Sequence, residues 1–187
     1  MATDYKVRFR SYDNVADLAS QMRVRLGIDN YYMFNIVNQL RKLKDVKFGI
    51  HGNLKIELFV DREDKAYVTF DPLVLHVHKD IWDEAEIGEP KARFILAHEL
   101  GHIVMHGHYR QEFAEIDEFH LKAFQPEEKA ESQANWFAAA FLAPDYLARN
   151  CTNESELCLS FDYPRDFIAQ KQHLFQTPKH KKGWVVQ

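Results

Sequence analysis

Two cysteines in 187 residues, Cys151 and Cys158, are too few to staple a fold. They read as free thiols of a reducing compartment, the other reading being a second metal site. No apolar stretch approaches the length of a membrane crossing. Met1-Ala2-Thr3-Asp4-Tyr5-Lys6 leads into mixed charge without the apolar run of a signal peptide, so a cytoplasmic protein is expected. A net charge of −4 is too mild to argue for a nucleic-acid or membrane partner. Internal repeats and low-complexity segments are lacking as well.

What is present is apolar substance for one core. At 46% hydrophobic and 13% aromatic, the chain suits about one domain. Val15, Leu18, Ala19, Met22 and Leu26 recur at helical spacing over Asn14 to Leu26, behind Asp13 as a cap and before Gly27. A second helix is expected from about Tyr32 to Leu43. Strands follow at about Val46 to Ile50, Lys55 to Val60, Ala66 to Phe70 and Leu73 to His78. The last of these puts His76 and His78 on one face, where they are candidates to line a cleft or to sit as hydrogen-bonded surface residues.

The most informative stretch is His98-Glu99-Leu100-Gly101-His102. Residues i and i+4 lie one above the other on a helix, so both imidazoles converge on one point and can hold one metal ion. Glu99, one residue round from His98, is too close to be a comfortable ligand and is well placed to take a proton from an attacking water. A shuffled chain of this composition would give roughly 0.04 accidental matches, so context has to support the pattern. It does. Pro90 fits a first helical position, and apolar residues from Phe94 to Met105 sustain a helix until Gly107 can end it.

Zinc takes four tetrahedral ligands, and a catalytic site keeps one position open, so a third protein ligand is needed. Gln125 to Leu142 reads as a second helix, started by Pro126 and stopped before Pro144. On it Glu131 shares a face with Ala134, Asn135 and Ala138, whose small side chains permit close approach to the histidine helix. Glu127 and Glu128 compete but lie in the first turn, where a solvated acid is the ordinary occupant. Asn135 is either a hydrogen-bonding partner of the site or a satisfied interface amide. His106 follows His102 by four but sits at the helix end, where capping is the commoner role. His108 stands where a metzincin places its third ligand; Met105 replaces the glycine at which that helix breaks, which argues against the metzincin arrangement.

The run from Arg93 to His106, followed by Glu131-Ser132-Gln133-Ala134-Asn135-Trp136-Phe137-Ala138-Ala139 and Phe141-Leu142-Ala143-Pro144, resembles the ImmA/IrrE family of metallopeptidases. The resemblance implies His98, His102 and Glu131 as ligands of one zinc or another divalent ion, and Glu99 as the catalytic acid/base. It implies an α+β, zincin-like fold: N-terminal helices, a small and mostly antiparallel sheet, and a metal helix packed on a glutamate helix. It further implies cleavage of a protein substrate, a helix-turn-helix transcriptional repressor, in a phage, mobile-element, toxin-antitoxin or stress-response circuit. The metallopeptidase domain is expected over residues 1–150 and a C-terminal extension over 151–187, since Asn150 to Cys158 and the Pro164 region spell no clear helical pattern. No helix-turn-helix precedes the peptidase part, so direct nucleic-acid binding is not expected.

Two further readings bear on partners. Seven acids between residues 111 and 131, against Lys122 and Lys129, form either a solvated loop or a rim that attracts a basic protein. A binding module of a different class, holding metal without hydrolysis and acting by association with a repressor or toxin, is the alternative to an enzyme. The intact Glu99 argues against it. His76, His78, His108 and Tyr109 are the candidates for the donor that an oxyanion would need.

Overall fold

The computed structural model describes residues 4–44, 46–61, 63–107 and 124–176. The chain begins with an extended segment whose backbone bonds to the stretch before the glutamate helix: Val7 N donates to Glu128 O at 2.8 Å, Arg10 N to Glu127 O at 3.0 Å and Ala130 N to Tyr5 O at 3.1 Å. Helix α1 (Tyr12–Leu26) follows, capped by Ser11, whose hydroxyl accepts from Asn14 N, rather than by Asp13. Helix α2 (Ile36–Leu43) starts later than its apolar pattern suggested because Asn35 takes the cap, its side chain accepting from Asn38 N.

Strands β1 (Lys55–Phe59), β2 (Ala66–Phe70) and β3 (Leu73–His78) form a mixed sheet of order β1-β3-β2. β3 runs parallel to β1 and antiparallel to β2. The expected strand at 46–50 does not form. A 3-10 turn occupies Gly49–His51, and Lys47 bridges only to Asn53. Immediately after β3 comes α3 (Lys79–Glu86), a short helix the sequence reading did not foresee, capped by the His78 ring.

Helix α4 (Pro90–His106) matches its expected bounds, with Glu89 accepting from Ala92 N at 2.6 Å and proline at its start. Gly107 ends it in a right-handed conformation, so the glycine serves close approach rather than a left-handed turn: a Cβ there would stand 3.1 Å from the His51 ring. The expected helix from Gln125 is divided into a 3-10 turn at Pro126–Glu128 and helix α5 (Ala130–Leu142). Asp4 serves the start of α5, its carboxylate accepting from Glu131 N at 3.1 Å.

α5 packs between α1 and α4, and Phe137, Ala138 and Phe141 are fully buried there. Helices α6 (Asp145–Ala148), α7 (Glu154–Phe161) and α8 (His173–Gln176), with a 3-10 stretch at Arg165–Lys171, complete the described chain. The stretch read as lacking helical pattern is therefore helical, with Asn153 capping α7 through Glu156 N. Leu157, Phe161 and Tyr163 join the same buried cluster as α4 and α5, and the buried Arg93 of α4 donates to Phe161 O at 3.0 Å. The hydrophobic burial that builds this core thus extends past residue 150. Among the described residues no helix is long and apolar enough to cross a membrane.

Candidate metal centre

The approach of α4 to α5 sets the site. Gly101 meets Phe137 so closely that a Cβ on it would lie 3.1 Å from the Phe137 Cβ, and Ala134 and Ala138 are fully buried at the same interface. Larger groups at these positions would hold the helices apart and leave a carboxylate on α5 short of the α4 histidines.

Three ligand atoms converge there. His98 Nε2 and His102 Nε2 are 3.0 Å apart. The Glu131 carboxylate straddles the pair, one oxygen 3.2 Å from His98 Nε2 and the other 3.3 Å from His102 Nε2. Ligands about 2.0 to 2.1 Å from a tetrahedral zinc are separated by about 3.3 Å, so these spacings are those of a coordination triangle. His98, His102 and Glu131 can hold a metal ion, and Glu127 and Glu128 lie outside this triangle in the preceding turn.

The hydrogen bonds behind the rings fit that use. His98 Nδ1 lies 2.9 Å from Asn135 Oδ1, an oxygen that can only accept, so Nδ1 carries the proton and Nε2 presents a lone pair. His102 Nδ1 contacts His106 Nδ1 at 3.0 Å, and His106 Nε2 contacts Gln133 Oε1 at 3.1 Å. The Gln133 amide nitrogen donates to Arg8 O and Glu127 O, which fixes its oxygen as the acceptor for His106. His106 therefore donates from Nε2 and accepts at Nδ1, and His102 donates from Nδ1. In their neutral form both rings then present Nε2 lone pairs to one point, where a divalent cation and a proton compete for them.

The electrostatics agree. Burial pushes the His106 imidazole down to about 3, with the neighbouring His102 adding to the effect, so His106 is a neutral relay. Burial also opposes charge on His98, but the hydrogen bond to Glu131 and the charges of Glu99 and Glu131 outweigh it and raise the pKa. Burial would raise the Glu131 carboxyl, yet hydrogen bonding and charge from His102 and His98, when a proton rather than a metal holds Nε2, keep it well below the usual range. An anionic Glu131 is the form a divalent ion needs.

Glu99 is 8% exposed and borders a cleft of about 230 Å³ together with His98, Asn135, Lys65, Ala66, Phe94, Ile95 and Phe167. His76 and His78 do not line this cleft. β3 is the central strand, His76 stacks on Tyr67 at 4.5 Å, and His78 caps α3. His108, Tyr109 and the acids Glu112, Glu115, Asp117 and Glu118 lie outside the described residues.

The IrrE N-terminal-like domain, Peptidase_M78, matches residues 53–156, which include both histidines, Glu99 and Glu131. The chain belongs to this family. Peptidase_M78 membership supports a metallopeptidase-like role at family level. The fold is similar to that of a solved Mycobacterium tuberculosis transcriptional regulator, with a TM-score of 0.56 at 18% identity, covering 89% of this chain and 48% of that one. The chain thus spans about half the length of that regulator. Among curated proteins, none matches it significantly.

The His102–His106–Gln133 relay was not recognised in the sequence, although His106 lies one turn from His102 on the same face. Its removal has a defined effect. His106→Ala deprives His102 of the acceptor that fixes its tautomer, and metal affinity is expected to fall 10- to 100-fold, read by competition with a chromophoric chelator. Affinity within twofold of wild type would show that the relay leaves His102 unaffected.

Proposed function

We propose that the chain is a zinc-dependent endopeptidase of the cytoplasm, with His98, His102 and Glu131 as metal ligands and Glu99 as catalytic acid/base. The observation that carries this reading is the convergence of three ligand atoms at 3.0 to 3.3 Å beside a carboxylate that opens on a cleft. A zinc ion supplies polarisation of the scissile carbonyl and brings the pKa of an attacking water toward 7. Glu99 accepts the water proton and afterwards returns it to the leaving amine, a cycle that asks one carboxylate to be base and then acid. Asn135 and His106 hold the two imidazoles in the tautomer that keeps Nε2 free of a proton.

A helix-turn-helix repressor as substrate rests on the family resemblance, and the fold neighbour named a transcriptional regulator is compatible with such a circuit. The free thiols Cys151 and Cys158 suit the reducing cytoplasm.

Metal content and cleavage test the reading together. Purified protein should carry close to one divalent ion, lost in His102→Ala and Glu131→Ala. Incubated with a repressor encoded beside it, the protein should yield defined fragments, a chelator should stop this, and added zinc should restore it. Metal retained in Glu131→Ala but lost in His108→Ala would move the third ligand. A metal-loaded protein that leaves the repressor intact would remove the peptidase assignment.

A further inference from the structure

The cleft beside Glu99 has a lining of mixed chemistry. His98, Glu99, Asn135 and Lys65 are its polar lining, and Ala66 of β2, Phe94 and Ile95 of α4, and Phe167 its apolar lining. Phe167 comes from the C-terminal 3-10 stretch, beyond the residues that match the family domain. Its ring stacks on Phe94 with centroids 3.8 Å apart and planes within 12°. Tyr163, itself 2% exposed, packs edge-on against Phe94 and donates from its hydroxyl to Phe167 O at 3.2 Å. The wall is thus fixed from behind, while Phe167 itself is only partly buried and faces the cleft.

A volume of about 230 Å³ lies below the roughly 300 Å³ at which pockets begin to enclose a drug-sized ligand and suits one side chain. We propose that Phe94, Ile95 and Phe167 form a specificity subsite for an apolar side chain next to the scissile bond, with Phe167 its determinant. This rests on the peptidase reading above. An aliphatic side chain against Phe94, Ile95 and Phe167 leaves water and gains contacts with the rings, whereas a polar one seated there loses hydration that only Lys65 and Asn135, elsewhere in the lining, could replace. In a pocket of this kind a single methylene changes discrimination by roughly tenfold or more. The C-terminal segment then has a defined task, to complete the substrate cleft from outside the metal-binding helices.

N-acetyl-leucine hydroxamate and N-acetyl-glycine hydroxamate share a chelating end and differ only in the side chain placed beside it, so they report on the subsite without hydrolysis. With the zinc-loaded full chain, the leucine compound should bind at least tenfold more tightly than the glycine one. In Phe167→Trp, which fills the cleft, the leucine-to-glycine preference should fall below threefold. In Phe167→Ala the larger space should shift preference from the leucine compound to N-acetyl-tryptophan hydroxamate. A leucine-to-glycine ratio near one in wild type, or a ratio unaltered in both variants, overturns the subsite. Digestion of a random peptide mixture separates the two proposals: cleavage without any apolar preference at the flanking positions rejects the subsite and keeps the peptidase, whereas hydroxamate selectivity without any cleavage rejects the peptidase and keeps the pocket.

Discussion

Replacing Glu99 with Gln is expected to lower peptide hydrolysis by roughly a hundredfold to ten-thousandfold while leaving metal content and substrate association within twofold of wild type. The argument is geometric. Glu99 sits on α4 one residue from His98, is 8% exposed, and opens on the cleft rather than into the ligand triangle. Its amide counterpart has nearly the same shape and volume, so neither the α4–α5 interface nor the metal need change, but an amide cannot take up the proton of an attacking water. Single-turnover cleavage of a repressor or peptide reads the loss, and metal analysis with equilibrium binding reads what is retained. A variant that cleaves at the wild-type rate would show that Glu99 is not the base. Wild-type protein that cleaves nothing, yet relieves repression as well as the Gln variant does, would favour a metal-containing binding module acting by association.

The parts of the molecule legible in the sequence are those where one local rule decides. α4 runs over its expected residues because Pro90 and Gly107 bracket an apolar stretch, and β2 and β3 form over theirs because their core-facing residues, Val68 and Phe70 in β2 and Leu73, Leu75 and Val77 in β3, are buried. The convergence of His98 and His102 follows from helical periodicity alone, and the reach of Glu131 to them from the small residues that let α5 approach. Misreadings arose where two local signals compete. Tyr32, Met33 and Phe34 extend the apolar period of α2, but Asn35 captures the cap and leaves Tyr32 and Met33 exposed. Phe48 and Ile50 suggest a strand, yet Gly49 and Gly52 both take positive φ and turn the chain into a 3-10 loop. α7 did carry a signal, Asn153 followed three residues on by Glu156, whose carboxylate also accepts from Thr152 N. Pairings between distant residues, such as His106 with Gln133 or Phe94 with Phe167, are tertiary facts that no local pattern encodes.

The most costly single substitution outside the metal centre is expected at Asp145. Lys171, wholly buried, donates from Nζ to Asp145 Oδ1 at 2.6 Å and to the Tyr12 hydroxyl at 3.1 Å, while His173 Nε2 lies 2.8 Å from the other Asp145 oxygen. Burial pushes Lys171 down to about 8 against the partial compensation of Asp145. Burial would raise Asp145, but hydrogen bonding to His173 and the charge of Lys171 hold it well below the usual carboxylate range. The two shifts act at opposite ends of the pH scale. A depressed carboxylate contributes stability above its unfolded value near 4 and loses it as pH falls; a depressed lysine costs stability below about 8, and that cost is relieved as pH rises toward its unfolded value of 10.5. Asp145→Asn leaves Lys171 buried without a counter-charge, and the lysine can escape only by giving up its proton. At about 1.4 kcal/mol per pH unit, doing so costs up to about 5 kcal/mol at pH 7, against about 3.4 kcal/mol that wild type already carries with Lys171 at about 8, whereas near pH 9.5 the lysine is largely neutral in both proteins and this difference vanishes. Urea denaturation of wild type and Asp145→Asn at the two pH values should therefore show a loss of about 3 to 5 kcal/mol at pH 7 that is smaller by about 1.4 kcal/mol at pH 9.5. In Lys171→Met, which removes the buried charge itself, the alkaline gain in stability seen in wild type should vanish. An Asp145→Asn loss that is the same at both pH values would mean that the cluster contributes by packing and hydrogen bonding rather than by charge.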